Sequence, residues 1–425
     1  MFHNPIANVD LLQIMMNEED DDQAAFIALL RRRRRRQARR FWVRPWVARR
    51  ELFGHYATLM AELERESHGD FKTFLRMEPA MFHEMLDRLT PRLTKLDTNF
   101  RKPLEPGLKL AVTLRFLATG NSYHSLGYSF RVPHNTISMF LGDVCESIIA
   151  EYGDEVVQRP TTHDEWRAVT DKFSARWNFP NTIGAIDGKH IAMKAPKDSG
   201  TVYHNYKGFF SIILLALVDA DYKFLWVDVG ANGSTSDCAV FNQSDLKAAL
   251  QSDTLGLPPP KALPGDDTDI SHFVIGDDAF PLRKWMMKPF ASRNLTDEER
   301  IFNYRLSRAR RVVENAFGIL ANRFRCLLST LQQKPETVKS IVLATVCLHN
   351  LMRIRYPGVQ NALVDREGED HQVVPGAWRD EQVLVEVDNV RGPTSETRRG
   401  KRQRLLLKHF VNSEAGAVPW QRDMI

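Results

Sequence analysis

The sequence predicts a mixed α/β fold whose sheet-bearing core is preceded by an all-helical region. Three observations carry that prediction. Residues 51–155 repeat apolar side chains at three-and-four spacing, the mark of amphipathic helices. Residues 181–350 change texture to short apolar runs bounded by turn residues, which read as strands. Two of those runs end in an aspartate, in Thr-Ile-Gly-Ala-Ile-Asp187-Gly-Lys-His and His-Phe-Val-Ile-Gly-Asp277-Asp.

In the helical region the spacing predicts helices over Glu51 to Ser67, Pro79 to Leu89, and Leu108 to Ala118 after the punctuation Pro106-Gly107. Thr119-Gly120-Asn121 then breaks the chain before a short helix from Ser122 to Tyr128. Phe130-Arg131-Val132-Pro133 turns it into a longer helix from about His134 to Tyr152. Ile137, Phe140, Leu141, Val144, Ile148 and Ile149 mark the buried face of that helix, leaving a polar leading edge at His134, Asn135, Thr136 and Ser138. A short helix, a tight turn and a helix with such an edge resemble a helix-turn-helix. Asn135 and Thr136 suit base edges or phosphates; the plainer reading makes one of them a helix N-cap.

Thr182 to Ile186 reads as a buried strand. Phe209 to Val218 and Phe224 to Val229 read as an antiparallel hairpin joined by Asp219-Ala-Asp-Tyr. A helix from about Ser236 to Leu250, a Pro/Gly/Asp-rich loop over 257–269 and a strand from Phe273 to Ile275 follow. The core closes with helices over about Asp297 to Asn322 and Val338 to Met352. Three strands, helix, strand, helix is the order of an RNase H-like mixed sheet. The expected organisation is a disordered basic arm over 1–50, the helical domain over 51–155, the mixed core over 156–355, and a mostly disordered tail over 356–425 with a short amphipathic piece at Leu405 to Phe410.

Of the 425 residues 43% are apolar and 26% charged, ordinary for a globular chain of two or three domains. The net charge of +5 hides segregation. Residues 18–22 are all acidic, residues 23–50 hold eleven arginines and no acid, and residues 391–408 carry seven basic residues against Glu396. Such blocks meet nucleic acid or an import receptor, so the expected location is the nucleus, with the cytoplasm as the alternative. Cys145, Cys238, Cys326 and Cys347 form no Cys-x-x-Cys pair, which argues against a zinc site or a disulfide scaffold. The longest apolar run, Phe209 to Val218, is half the roughly 20 residues that span a bilayer. The first twenty residues lack the grammar of a signal peptide. A soluble, intracellular protein without a membrane partner is the expectation.

Four acidic residues carry the chemistry: Asp187, Asp237, Asp277 and Glu314. If the strands before Asp187 and Asp277 are parallel neighbours, as a helical crossover favours, their carboxyl ends coincide. Two carboxylates held together are costly without a cation between them. Asp278 alternates to the other face. Glu314 follows Arg310 and Arg311 on a helix; its plainer reading is a surface ion pair. The stripe Val313, Phe317, Leu320 and Phe324 turns that helix onto the core, and Gly318 and Ala321 are expected to let the Glu314 face approach the sheet. Arg305, Arg308, Arg310, Arg311 and Arg323 are expected to line a phosphate track. Asp237 stays ambiguous, because Ser234-Thr-Ser-Asp237 also matches a capping box. Lys189, beside Asp187, and Lys207, in Tyr203-His-Asn-Tyr-Lys-Gly208, are placed against a DNA backbone. His349-Asn350 reads as a satisfied core pair. Carboxylates from two strand ends and a helix suit hard divalent cations such as Mg²⁺, and a metal pair serves phosphodiester cleavage.

The chain resembles the PIF/Harbinger class of DDE transposases and the Harbinger transposase-derived nucleases. The resemblance rests on Gly184-Ala-Ile-Asp-Gly-Lys-His190, Gly233-Ser-Thr-Ser-Asp-Cys238, Gly276-Asp-Asp-Ala-Phe-Pro-Leu282, Val313-Glu-Asn-Ala-Phe-Gly-Ile-Leu-Ala-Asn-Arg-Phe-Arg325 and Cys347-Leu-His-Asn350, in that order over about residues 180–355. It implies an RNase H-like DDE nuclease core using Mg²⁺ or Mn²⁺ and acting on double-stranded DNA. It also implies a nuclear location, a separate Myb-like DNA-binding partner in mobile members, and Asp237 as a further metal ligand beside the triad Asp187, Asp277 and Glu314. Transposases commonly act as oligomers. Two other readings stand beside it: a domesticated, catalytically silent DNA-binding or chromatin adaptor, and a general RNase H-type ribonuclease.

Overall fold

The computed structural model describes residues 43–95, 103–291, 293–357, 364–380, 383–387 and 396–425. The arginine run of the expected N-terminal arm lies outside the described residues. By contacts the chain divides into residues 1–48 with 97–102, of which helix α1 (Pro45–Ala48) is described, and residues 49–96 with 103–425. The second unit carries both the helical region and the sheet.

Its helical region comprises α2 (Arg50–Phe53), α3 (Leu59–Glu66), α4 (His68–Leu75), α5 (Pro79–Leu93), α6 (Pro106–Thr119), α7 (Tyr123–Phe130) and α8 (His134–Val156). The helix expected over Glu51 to Ser67 is broken at Gly54, whose extended backbone closes α2. Pro106 and Gly107 form the first turn of α6 instead of preceding it, since proline at N1 gives up an N–H the helix does not use. The turn at 131–133 joins α7 to α8 as expected, with Ser122 capping α7 through the Ser125 amide. At α8 neither Asn135 nor Thr136 is the cap; Pro133 holds that position. A ninth helix, α9 (His163–Trp177), has no counterpart in the sequence reading. A capping box between Thr162 and Glu165 starts it, and Trp166 and Phe173 are fully buried.

The sheet is built from β1 (Thr182–Ala192), β2 (Ser211–Val218) and β3 (Phe224–Asn232), joined antiparallel, then β4 (Phe273–Ile275) and β5 (Met286–Met287), both parallel to their neighbours. The order β3-β2-β1-β4-β5 is that of an RNase H-like sheet. Between β3 and β4 run α10 (Asp237–Gln243) and α11 (Asp245–Ser252), two helices where one was expected, because Ser244 stops the first and caps the second. The long α12 (Asp297–Arg323) opens with a Thr296–Glu299 capping box and three acids in its first turn, which the helix dipole favours. It crosses one face of β1, β2 and β4. The next helix, α13 (Pro335–Arg355), packs on β3 and on α8 and so fastens the helical region to the sheet. By length and composition alone α13 could cross a membrane, but most of it is buried in this core.

The expectation of a mostly disordered tail is corrected. Residues 364–380 form a strap over α12. Strand β6 (Val385–Glu386) adds antiparallel to β1, and α14 (Arg398–Asn412) docks on α12 and β5. The amphipathic piece expected at Leu405 to Phe410 is the middle of α14. Its upstream turn was hidden by charge: Gln403 donates to the carbonyls of Ser271 and Lys284, and the Gly400 Cα lies close against the Arg283 backbone.

Candidate active site

β1 does not end before Asp187. It continues to Ala192, so the aspartate sits in the middle of the central strand, opposite Ala216 of β2. On the other side β1 runs parallel to β4, with Ala185 beside Ile275. Continued by two residues, this register pairs the positions of Asp187 and Asp277. Asp277 lies just past β4, where its Oδ1 accepts from the Ala279 amide in an Asx turn. β4 is only three residues long, so the chain has left the sheet by Asp277. Asp278 turns away and pairs with Lys288 at 3.1 Å.

Side chains alternate along a strand, so Asp187 and Lys189 share one face of β1. Lys189 Nζ lies 5.8 Å from the centre of the Phe317 ring, which identifies that face as the one under α12. Glu314, one turn before Gly318, is half-buried there. The ion pair expected of Glu314 is present, with Arg310 Nη2 donating to Oε1 at 2.7 Å. The pair belongs to the acidic centre rather than to the outer surface. Burial works against the Arg310 charge, but Glu314, then Asp187, Asp277 and Glu386, outweigh it and raise its pKa. One guanidinium therefore feels all three carboxylates of the expected triad.

Lys189 is the second cation. It is 5% exposed, with Nζ 3.1 Å from Asp187 and 3.2 Å from Glu386. Burial again opposes its charge, and Asp187 and Glu386 more than compensate, so its pKa is raised. Among the described residues no three acidic, histidine or cysteine side chains stand at ligating spacing. The donor chemistry nevertheless suits a hard cation, with the carboxylates of Asp187, Asp277 and Glu314 all acting on the one Arg310 guanidinium. The charge that such an ion would balance is balanced here by two long, flexible cationic side chains.

Asp237 reaches β1 from the face opposite Asp187. It is buried at the first turn of α10, with Ser236, not Ser234, as the cap. Its carboxylate fills the hollow at Gly188: a Cβ built there would lie 1.9 Å from Asp237 Oδ1. Gly188 points to the opposite face from Asp187, so the strand backbone stands between the two carboxylates.

The residues expected to meet DNA are scattered. Asn135 is exposed and Thr136 half-buried at the start of α8, where His134 stacks on His124 at 4.0 Å. Helix α8 carries acids and neither lysine nor arginine. Lys207 is exposed in the loop before β2, and Arg310 and Arg311 are half-buried. The expected phosphate track along α12 is corrected for two of its members. Arg305 is buried and donates to Gly416, Gln421 and Asn178, while Arg308 is bound to Glu367, Trp177 and Asn178. Both clamp the core to the tail. His349 and Asn350 are core residues as expected: Nε2 of His349 meets the Tyr222 carbonyl, and Asn350 bonds both the amide and the carbonyl of Phe224.

The sequence reading missed the strap's contribution. Trp378 seats its ring on Gly318, where a Cβ would come within 2.3 Å, and its Nε1 donates to Asn315 Oδ1. Gly318 thus admits the strap rather than the sheet. Arg379 reaches Asp365 at 2.6 Å and Glu314 at 3.9 Å. The small residues after Glu314 were the only local signal, because the partner comes from some sixty positions downstream.

Comparison with known proteins agrees with this geometry. Residues 186–350, which hold all four acids, match the family described as DDE superfamily endonuclease. The chain is 26% identical to "Putative nuclease HARBI1" of Rattus norvegicus over 341 residues, covering 78% of this chain and 88% of that one. It is 28% identical to the Homo sapiens protein of the same name over 257 residues, covering 60% and 69%. With "Protein ALP1-like" of Arabidopsis thaliana the identity is 27% over 290 residues, covering 66% and 70%. No solved structure matches. Residues 186–350 thus resemble a DDE superfamily endonuclease domain in sequence, and the sheet order is of the RNase H-like kind.

Proposed function

We propose that this chain is a divalent-metal-dependent DNA nuclease, with Asp187, Asp277 and Glu314 as its catalytic carboxylates. The observation that supports the proposal is the parallel register of β1 and β4, which runs toward Asp187 and Asp277 beneath the helix that bears Glu314. Three carboxylates that all act on one guanidinium serve little purpose in a stable core, where like charges raise the cost of burial. They suit Mg²⁺ or Mn²⁺, which when bound would supply Lewis-acid activation of the phosphodiester and of the attacking water. Lys189 and Arg310 neutralise the carboxylates that would hold the ion, and with the ion bound their charges would be available to the DNA phosphates. Asp237 supports Asp187 from behind the strand. DNA reaches the site over Lys207 and the leading edge of α8, where Asn135 and Thr136 stand. The basic segments near both ends target the protein to the nucleus, and a separate Myb-like protein supplies further DNA specificity.

The test is plasmid nicking by the purified chain with Mg²⁺, Mn²⁺ or EDTA, beside Asp277→Asn and Glu314→Gln. Metal-dependent nicking that both variants lose, with duplex binding kept, is the expected result. Tight duplex binding by a wild-type chain that never cuts would favour a silent DNA-binding adaptor. Preference for an RNA–DNA hybrid would point to a ribonuclease.

A further inference from the structure

Strand β6 occupies an unusual place. β1 outruns β4 by several residues, and the edge left open past Ala185 begins where Asp277 leaves the sheet. β6 fills that edge, pairing Glu386 with Lys189 and Val385 with His190. Leu384 and Val387 are buried on either side, and Tyr206 Oη donates to the Glu386 carbonyl at 3.2 Å. The Glu386 side chain is 70% exposed, yet its Oε1 sits 3.2 Å from the nearly buried Lys189 ammonium. An anionic oxygen is thus held against a cation at the mouth of the acidic centre. The residues just upstream are tied to α12 through Trp378 and Arg379, so the strap reaches the site from an anchored base.

Stability does not explain this contact. A half-exposed ion pair contributes little, and Glu386 adds a further negative charge beside Asp187, Asp277 and Glu314. A phosphate oxygen brought to Lys189 would need the same place.

We propose that β6 is an intrasteric strap: Glu386 stands in for a backbone phosphate at Lys189, and the strap must leave the β1 edge before nucleic acid reaches the acidic centre. The proposal rests on the DNA-nuclease reading for the identity of the natural anion, but not for the block itself.

The experiment measures binding of a 30-base-pair duplex and, separately, of heparin to the full chain in EDTA, by fluorescence anisotropy over a salt series. The variants are Glu386→Gln, Glu386→Lys and the exposed control Glu369→Gln. Because Glu386 is largely exposed, both substitutions there leave the core intact. Removing the stand-in is expected to tighten duplex binding about threefold for Glu386→Gln and about tenfold for Glu386→Lys. The salt slope of Glu386→Gln should steepen by about one, as Lys189 gains a phosphate contact. Glu369→Gln should match wild type, since a general loss of negative charge is not the cause. Equal gains in the control, or unchanged affinity and slope at Glu386, would overturn the strap. Tighter heparin binding with no duplex binding in any variant would uphold the strap and overturn DNA as the substrate. Failure to bind either polyanion, before and after substitution, would overturn the strap, because its removal would then expose no anion site.

Discussion

Gly188→Ala offers the sharpest check on how the two faces of β1 are used. The backbone at Gly188 is ordinary extended strand, so an alanine there should gain about 0.4–1 kcal/mol by restricting the unfolded chain. The new methyl, however, would lie 1.9 Å from Asp237 Oδ1 and 2.5 Å from its Cγ. An ordinary carbon–oxygen contact is close to 3.4 Å, so the carboxylate or the strand has to yield by about 1.5 Å. Neither yields easily. Around Gly188, β1 is fixed by β2 on one side and lies between its pairings with β4 and β6 on the other, and Asp237 is only 1% exposed. Overpacking of this kind costs about 1–3 kcal/mol, which exceeds the backbone gain. Urea denaturation of the single variants and of Gly188→Ala/Asp237→Ala should show Gly188→Ala destabilised and the double variant recovering at least about 1 kcal/mol over the sum of the singles. The cycle cancels whatever Asp237 contributes elsewhere. A Gly188→Ala chain as stable as wild type, or strict additivity, would refute the placement of the carboxylate behind the strand. The same placement predicts a split in metal binding. By Mn²⁺ titration, Asp277→Asn should lose more affinity than Asp237→Asn; equal losses would place Asp237 in the ligand set.

Four further outcomes are expected. His349 is fully buried with its pKa lowered to about 3 by burial, so the fold holds it neutral while the unfolded chain protonates below its usual value of 6.5. Its stabilising contribution is complete above pH 6.5 and is lost as pH falls toward 3. His349→Gln should therefore flatten the stability–pH slope between pH 6 and 4 by up to about 1.4 kcal/mol per unit, and an unchanged slope would exclude the effect. Arg305→Ala should destabilise by about 3 kcal/mol while leaving the salt dependence of duplex binding untouched, because both of its terminal nitrogens donate within the fold; a shallower salt slope would restore it to a phosphate track. Trp378→Ala should cost about 3 kcal/mol or more and speed proteolysis within residues 364–387, with unchanged digestion counting against the anchor at Gly318. Asn135→Ala should weaken duplex binding without altering nicking of DNA already bound, and wild-type affinity would remove α8 from the DNA interface.

The sequence by itself determined the local elements and the identity of the acids. Apolar spacing located α5 to α8, β2, β3, β4, α12 and α13 because each buries a face whose period is written in neighbouring residues. The aspartates at 187 and 277 stood out because each follows a buried run, and the helical crossover between them implied parallel pairing. Tertiary structure alone decided what those residues meet. Alternation along β1 separates Asp237 from Asp187, and no reading of Ser234 to Cys238 in isolation contains that fact. The arginines of α12 look alike in sequence; their roles differ because Arg305 and Arg308 face the tail while Arg310 faces the carboxylates. The strap and the first turns of α14 were hidden for the same reason. Their apolar anchors are few and widely spaced, as with Leu384, Val387, Leu407 and Phe410. Their partners, Gly318, Lys189 and Arg283, are remote in the chain, and contacts of that range leave no periodic trace in the segment that makes them.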